Sequence, residues 1–203
     1  MKAVLISIQP KWCELIASGK KTVEVRKTRP KIKMPFKCYI YCTLPNPKTD
    51  YSWQYEPNLY VKDGKVKWID GAFERTTFWH YAHQKVIGEF VCDRIYGIIN
   101  FSPYESDDNH HTIFPFVLKQ TCLTEDEIDE YLGQKDGCGW HISNLVIYDK
   151  PRELGEFLKA TKVYPSLIHD IADIGNGHRC NNFYYPLKRP PQSWCYVESE
   201  DAE

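Results

Sequence analysis

A short helix enclosed by two strands within the first 26 residues limits the fold of this chain more than any other feature. Residues 3–8 are mostly apolar and predict a strand buried on both faces. Pro10 and Gly19 bound a predicted helix, because proline is favoured in the first helical turn and glycine just after the last one. A second strand, predicted at 21–26, follows this helix directly.

The second of these strands carries an unusual density of charge. Two valines alternate with Glu24 and Arg26, so one strand face is apolar and the other is charged. Backbone positions two apart on one face are separated by roughly 7 Å, which lets a carboxylate and a guanidinium meet. Lys21 adds a third charge nearby. The spacing alone fits a surface ion pair on a half-buried strand as well as it fits a functional site.

Composition narrows the class of protein. The chain has 203 residues with 42% hydrophobic and 26% charged side chains, the profile of a soluble globular protein. The net charge of −1 provides no overall field to recruit nucleic acid, but the charge is uneven. Residues 11–37 hold nine lysines and arginines against two acids, and 105–136 hold nine acids against two lysines. Such asymmetry is typical of a polyanion-binding face and also of an ordinary solvated surface. Aromatic residues, at 14%, favour β structure and surfaces that stack on flat ligands.

The sequence predicts a cytoplasmic protein. It has no apolar run long enough to span a membrane, and its N-terminus lacks the length and cleavage site of a signal peptide. The eight cysteines are therefore expected to be reduced thiols, several of them acting as small core hydrophobes.

Neither a cofactor nor a metal is predicted. Cys38 and Cys42, His178 and Cys180, and the pair at 110–111 do not form the two short-spaced ligand pairs of a structural zinc site. The sequence contains no P-loop, no G-x-G-x-x-G and no G-x-S-x-G motif.

The remaining sequence predicts further strands and helices. Strands are expected at 36–43, at 85–99 with a bend near Gly97, at 140–148 and at 194–197, and a hairpin is expected at Asp63-Gly64. Helices are expected from the capping box at 124–127 to about Leu132, and at 151–158. Gly137-Cys138-Gly139 is interpreted as a turn, and 159–190 as irregular.

About six strands with two or three short helices predict a mixed α+β domain built on a small β-barrel. We interpret 1–203 as a single domain with insertions at about 44–84, which holds the hairpin, and at 159–188. Residues 198–203 are expected to be a mobile acidic tail.

Several stretches together resemble the activating signal cointegrator homology (ASCH) domain. Residues 19–26, Gly-Lys-Lys-Thr-Val-Glu-Val-Arg, fit the family signature G-x-K-x-x-E-x-R without a mismatch. Residues 5–10 resemble the usual ASCH opening, 85–90 its central barrel strand and 140–142 its late strand. Residues 189–197 resemble the end of a bacterial and phage-type subgroup. The resemblance covers 1–43, 85–149 and 189–197.

The resemblance implies a PUA-like β-barrel with a cleft beside the first helix, in a superfamily associated with RNA recognition. Such barrels contact the RNA backbone and stack unpaired bases, which suits the basic 11–37 segment and the aromatic content. Some small ASCH proteins are amidohydrolases of N4-acetylcytidine; they resemble this chain at Lys21 but have a threonine nucleophile where this chain has Glu24. Others are linked to RNA cleavage.

Three hypotheses follow. The first is a module that binds RNA or a modified nucleoside, with Lys21 and Arg26 on phosphate or a base edge and Glu24 orienting them. Its other expected ligand-binding residues are Trp12 and Trp140, as stacking surfaces, and Gln9. The second is a small hydrolase acting on an acylated nucleoside or RNA, with Lys21, Glu24, Thr22 and His141 as catalytic candidates. The third is a protein-interaction module built on 44–84. The Trp140-His141 pair is as often a core tryptophan with a satisfied histidine as a ligand surface. The sequence leaves the oligomeric state open.

Overall fold

The computed structural model describes residues 2–44, 82–100, 111–162 and 182–199, and the backbone of two short strands between them. In chain order the strands are β1 Lys2–Ile8, β2 Val23–Arg26, β3 Phe36–Cys42, β4 Leu59–Lys62, β5 Lys65–Trp68, β6 Lys85–Cys92, β7 Ile95–Asn100, β8 His111–Thr112, β9 Gly137–His141, β10 Ser143–Glu153, β11 Leu158–Lys162, β12 Asn182–Pro186 and β13 Trp194–Glu198. The α-helices are α1 Pro10–Ala17, α2 Pro115–Thr121 and α3 Glu125–Leu132, and Leu154–Glu156 form one 3₁₀ turn.

A five-stranded sheet in the order β10-β6-β3-β1-β13 holds the main core. β1 lies parallel to β3 and antiparallel to β13, so Val4 is flanked by Cys38 on one side and Tyr196 on the other. Residues 3–8 are all buried, which confirms the prediction of a strand with two buried faces. β1 is therefore a buried strand from which the following helix and strand are positioned.

A four-stranded sheet in the order β2-β9-β7-β8 carries the charged stretch. Helix α3 covers one face of it, where Ile128 and Leu132 pack with Val25 and Ile98. The hydrogen bonds between the described strands form separate sheets and do not close into one barrel. The prediction of a mixed α+β fold with short helices is confirmed at this level.

Helix α1 begins and ends as predicted. Pro10 occupies its first turn, and Gly19 just beyond it has a φ of +73°, a backbone conformation that glycine adopts without strain. The backbone N–H groups of Lys20 and Lys21 both donate to the carbonyl of Leu15, at 2.9 Å. This tight turn delivers the chain into β2 and fixes where the Lys21 side chain starts. The strand itself begins at Val23, two residues later than expected.

Two local predictions outside this region are also confirmed. β4 and β5 pair antiparallel as the expected hairpin, while most of the 44–84 insertion lies outside the described residues. Thr124 and Glu127 form the expected reciprocal capping box, with Glu127 N–H donating to Thr124 Oγ1 at 3.2 Å and Thr124 N–H donating to Glu127 Oε2 at 2.9 Å.

Other element predictions were wrong. The long strand at 85–99 is divided at Asp93-Arg94, not bent at Gly97. Residues 137–139 belong to β9, and the absence of a Cβ at Gly139 leaves room for the Val23 side chain of the neighbouring strand. Residues 151–153 extend β10, which leaves only a 3₁₀ turn where a helix was expected. β11 and β12 pair within the stretch interpreted as irregular, and α2 was missed. The strand total of about six was therefore an underestimate.

Seven cysteines fall within the described ranges, and none of these forms a disulfide. Cys38 and Cys42 both lie in the main core, packed as small apolar side chains, and Cys180 and His178 are outside the described residues. No helix in the described ranges combines the length and the apolar character that crossing a bilayer requires.

Candidate functional site

A pocket of about 800 Å³ lies beside α1 and β2. Its lining comes from the end of β1, the start of α1 and the charged strand, and from α3 and the segment before β13. Its volume falls within the range typical of small-molecule sites. The lining residues are Ser7, Ile8, Gln9, Lys11, Trp12, Lys21, Glu24, Val25, Arg26, Thr43, Leu123, Glu127, Glu130, Tyr131, Pro190, Pro191 and Gln192.

Glu24 is held between two cations in the wall of this pocket. Its Oε1 lies 2.9 Å from Arg26 Nη2, and its Oε2 lies 3.4 Å from Lys21 Nζ. The side chains of Lys21, Glu24 and Arg26 are only 2%, 8% and 9% exposed. The interpretation as a surface ion pair is therefore wrong, since all three charges are buried.

Backbone carbonyls from two other elements fasten the cluster. Arg26 Nη2 also donates to the carbonyl of Ser7 at 2.7 Å, which joins β2 to the end of β1. Lys21 Nζ donates to the carbonyl of Thr121 at the end of α2. Arg26 Nε is buried and has no acceptor within hydrogen-bond distance in the described part of the chain. The geometry thus fixes both cations while leaving one guanidinium N–H unused.

Burial sets the ionisation of the groups around the cluster. Desolvation lowers the pKa of the Lys21 ammonium, and the neighbouring Glu24 carboxylate partly opposes this. Desolvation likewise raises the pKa of the Tyr131 phenol, whose hydroxyl is close enough to Arg26 for a hydrogen bond that lowers it. The Cys13 thiol behind the cluster has a pKa raised well above its usual value, again chiefly by burial. Of these three groups, Lys21 is the one whose pKa is lowered, so it loses its proton more easily than a lysine in water does.

Trp12 presents its ring to two ammonium groups at the pocket. Lys11 Nζ lies 4.3 Å and Lys21 Nζ lies 5.0 Å from the ring centroid, within the range of a cation–π contact. Gln9, the residue before α1, lines the pocket beside them. The structure therefore brings together five residues expected from the sequence: Gln9, Trp12, Lys21, Glu24 and Arg26.

Trp140 does not belong to this site, which corrects its interpretation as a stacking surface. Its side chain is fully buried, in edge contact with Phe36 at 5.9 Å between ring centroids and tilted against Trp194 at 5.9 Å. Its Nε1 donates to Cys138 Sγ at 3.3 Å. No face of the indole is left for a ligand, so Trp140 is a core residue.

Two catalytic candidates also lie elsewhere. His141 pairs in register with Val23, whereas Glu24 pairs with Trp140, so His141 and Glu24 are on opposite faces of the sheet. His141 Nδ1 instead lies 2.6 Å from Asp93 Oδ1. Thr22 Oγ1 donates to Gln120 Oε1 at 3.1 Å and is not among the lining residues. Neither side chain is placed to act with Lys21 and Glu24.

The sequence did not predict that α3 lines the pocket. Glu127, Glu130 and Tyr131 follow the capping box on α3, about a hundred residues beyond the charged strand. The capping box predicted the helix, but nothing in the sequence indicated which sheet the helix would pack against. Among the described residues no cluster of three His, Cys, Asp or Glu side chains is arranged to hold a metal ion.

No curated protein sequence matches the chain. Solved structures similar to it include a point-mutant ZmASCH from Zymomonas mobilis, at 17% identity and a TM-score of 0.43, covering 98% of this chain and 91% of that one. The crystal structure of ASCH from Zymomonas mobilis is 16% identical in sequence, with a TM-score of 0.43. This match covers 98% of this chain and 89% of that one.

The family comparison falls directly on the site. Residues 6–39 match the model of the ASCH domain. This segment contains the end of β1, the whole of α1 and β2, and the three buried charges of the cluster. Over these residues the chain is similar to the ASCH domain.

Proposed function

We propose that this chain is an ASCH domain protein and that it binds RNA or a modified nucleoside in the pocket beside α1. The observation that supports this most directly is the buried Lys21–Glu24–Arg26 cluster in the pocket wall. Burying three charges costs free energy of solvation, and a purely structural role is met equally well by apolar residues of similar size. A buried charged cluster in the wall of a pocket is better explained by recognition of a ligand.

The chemistry of the pocket suits a nucleobase. Arg26 and Lys21 supply donors for base acceptors, and Glu24 accepts from an exocyclic amine. The Trp12 indole offers a face for stacking. Lys11 lies over this ring and is exposed, so a base that stacks on that side displaces the lysine. Gln9 and Gln192 add amide groups at the edge. Unpaired bases are read in this way, by stacking together with edge contacts.

A basic loop next to the pocket suits the phosphates. Residues 27–33, which follow β2, contain four exposed cations: Lys27, Arg29, Lys31 and Lys33. The loop is anchored to β13, since Trp194 Nε1 donates to Thr28 Oγ1 at 3.1 Å and Lys31 N–H donates to the Tyr196 hydroxyl at 2.7 Å. Lys27 Nζ lies 5.1 Å from the ring centroid of Tyr131, so the loop adjoins the pocket wall. We further propose that the two main sheets correspond to the halves of a PUA-like barrel within a single domain.

Fluorescence anisotropy with short single-stranded RNAs at low salt tests the proposal. We expect measurable binding that weakens as salt rises, because each phosphate contact releases counterions. Arg29→Gln, in the exposed loop, should weaken binding and reduce the salt slope by about one. Lys135→Gln, an exposed lysine that does not line the pocket, is the matched control and should leave both unchanged. Absence of affinity for RNA and for nucleosides at low salt would refute the proposal.

A hydrolase acting at the same pocket is the second candidate. It is favoured by the lowered pKa of Lys21 beside a buried carboxylate, an arrangement that suits proton transfer. Since Thr22 and His141 lie outside the pocket, Lys21 and Glu24 are the remaining catalytic candidates. Incubation with N4-acetylcytidine and with short RNAs distinguishes the two: turnover that is lost in Glu24→Gln indicates the hydrolase, and binding without turnover indicates the module.

A further inference from the structure

We infer that the part of the ligand that enters the pocket carries no phosphate, and that Glu127 and Glu130 on α3 select against one. This inference rests on the proposed function and specifies which ligands the pocket admits. The pocket and the neighbouring basic loop then have different roles, because the phosphates of an RNA strand would lie along the loop. The pocket itself then accepts an uncharged nucleobase or nucleoside.

The charges that line the pocket cancel. Three cationic side chains, Lys11, Lys21 and Arg26, line it together with three carboxylates, Glu24, Glu127 and Glu130. Two of the cations are already paired with Glu24 at 3.4 Å and 2.9 Å. Lys11 is the remaining cation, and it lies over the Trp12 ring. A phosphate in the pocket therefore meets no excess of positive charge.

The two carboxylates of α3 occupy one side of the helix. Glu127 and Glu130 are three residues apart, which places them on the same helical face. The capping box holds Glu127 in place, because its Oε2 accepts a hydrogen bond from Thr124 N–H at 2.9 Å. Glu130 is exposed and makes no ion pair with another described side chain. An entering phosphate meets like charge from this wall, and like charges brought together at an interface disfavour binding.

An uncharged heterocycle fits the same groups better. Arg26 and the amides of Gln9 and Gln192 offer donors and acceptors to its edges, and Trp12 offers a stacking face. Rejection of a charged analogue by carboxylates placed at the rim is selection by repulsion, which needs no additional attractive contact.

The test compares ribonucleosides with their 5′-monophosphates by titration calorimetry on the full chain. In the wild type we expect nucleosides to bind about tenfold or more tightly than the matching nucleotides, as like-charge repulsion predicts. In the double variant Glu127→Gln and Glu130→Gln that ratio should fall toward one. Glutamine at 127 keeps an oxygen for the capping box, so helix α3 is retained. Glu125→Gln, on the same helix but outside the lining, is the control and should keep the wild-type ratio.

Each outcome has a separate meaning. Nucleotides that bind as tightly as nucleosides to the wild type, or a ratio that the double variant leaves unchanged, overturn this inference while the proposed function stands. Failure of both nucleosides and nucleotides to bind overturns this inference, and the proposed function falls as well only when short RNAs also fail to bind.

Discussion

Glu24 Oε1 lies 2.9 Å from Arg26 Nη2, the same separation as that between Lys37 Nζ and Glu89 Oε1 on the large sheet. The two pairs differ in burial. The side chains of the first are less than a tenth exposed, and those of the second are about a fifth exposed. Breaking a buried pair leaves a charge without compensation, whereas water screens a more exposed one. The two ion pairs therefore contribute differently to the free energy of unfolding although their distances are equal.

Replacement of Arg26 by methionine should destabilise the protein by about 3–5 kcal/mol, because Glu24 then keeps only the longer contact with Lys21. Lys37→Met is the matched control and should cost about 1 kcal/mol or less. Urea denaturation followed by circular dichroism measures both. Equal losses in the two variants would contradict the distinction.

Gly88 on β6 should not tolerate alanine. A Cβ there would lie 2.3 Å from the backbone oxygen of Val146 on β10, so the two strands must separate. We expect Gly88→Ala to cost about 1–3 kcal/mol or more, as overpacking against backbone does. Gly97→Ala, where no atom lies within 4 Å of the added methyl group, should change stability little. Thermal unfolding compares the pair, and similar melting temperatures for the two variants would count against this packing.

Alkaline pH should favour the native state through Lys21. Burial lowers its native pKa below the reference of 10.5, so between these two values the unfolded chain binds more protons than the native one. The free energy of unfolding then rises with pH across that window. Measured against Lys21→Met from about pH 7 up to 10.5, the relative stability of the wild type should increase. A difference that stays flat over this range would argue against a desolvated ammonium.

The two tryptophans should separate stability from binding. Trp140→Ala empties a site enclosed by Phe36 and Trp194 and should cost about 3–5 kcal/mol. Trp12 is only partly buried, so Trp12→Ala should cost less stability but remove most affinity for a nucleoside, since stacking contributes about 1–3 kcal/mol per base. Denaturation and calorimetry on both variants provide the comparison. Unchanged nucleoside affinity in Trp12→Ala would exclude the indole as a stacking surface.

Local patterns in the sequence were enough to predict α1, β1 and the charged face of β2. Proline and glycine act within one helical turn, and strand alternation acts within two residues. Sequence spacing was also enough to put Glu24 and Arg26 together.

Local patterns could not predict which side chains are buried or which distant residues they contact. Whether Glu24 faces water or a pocket depends on α3, about a hundred residues away, and the place of His141 depends on its register with Val23. A shift of one residue in that register would have put His141 on the other face. Trp140 and His141 are adjacent in sequence, yet only their strand partners show that one is in the core and the other beside Asp93.

The pairing of β1 with β13 has a consequence for synthesis on the ribosome. Ser7 N–H donates to the carbonyl of Ser193 at 2.9 Å, and Pro190, Pro191 and Gln192 form part of the pocket wall. The charged strand is translated before the segment at 190–192, and its pocket therefore requires residues made more than 160 positions later. A nascent chain therefore carries the Lys21, Glu24 and Arg26 charges over this interval without the segment that completes their pocket, and we expect ligand binding to appear only once β13 has emerged.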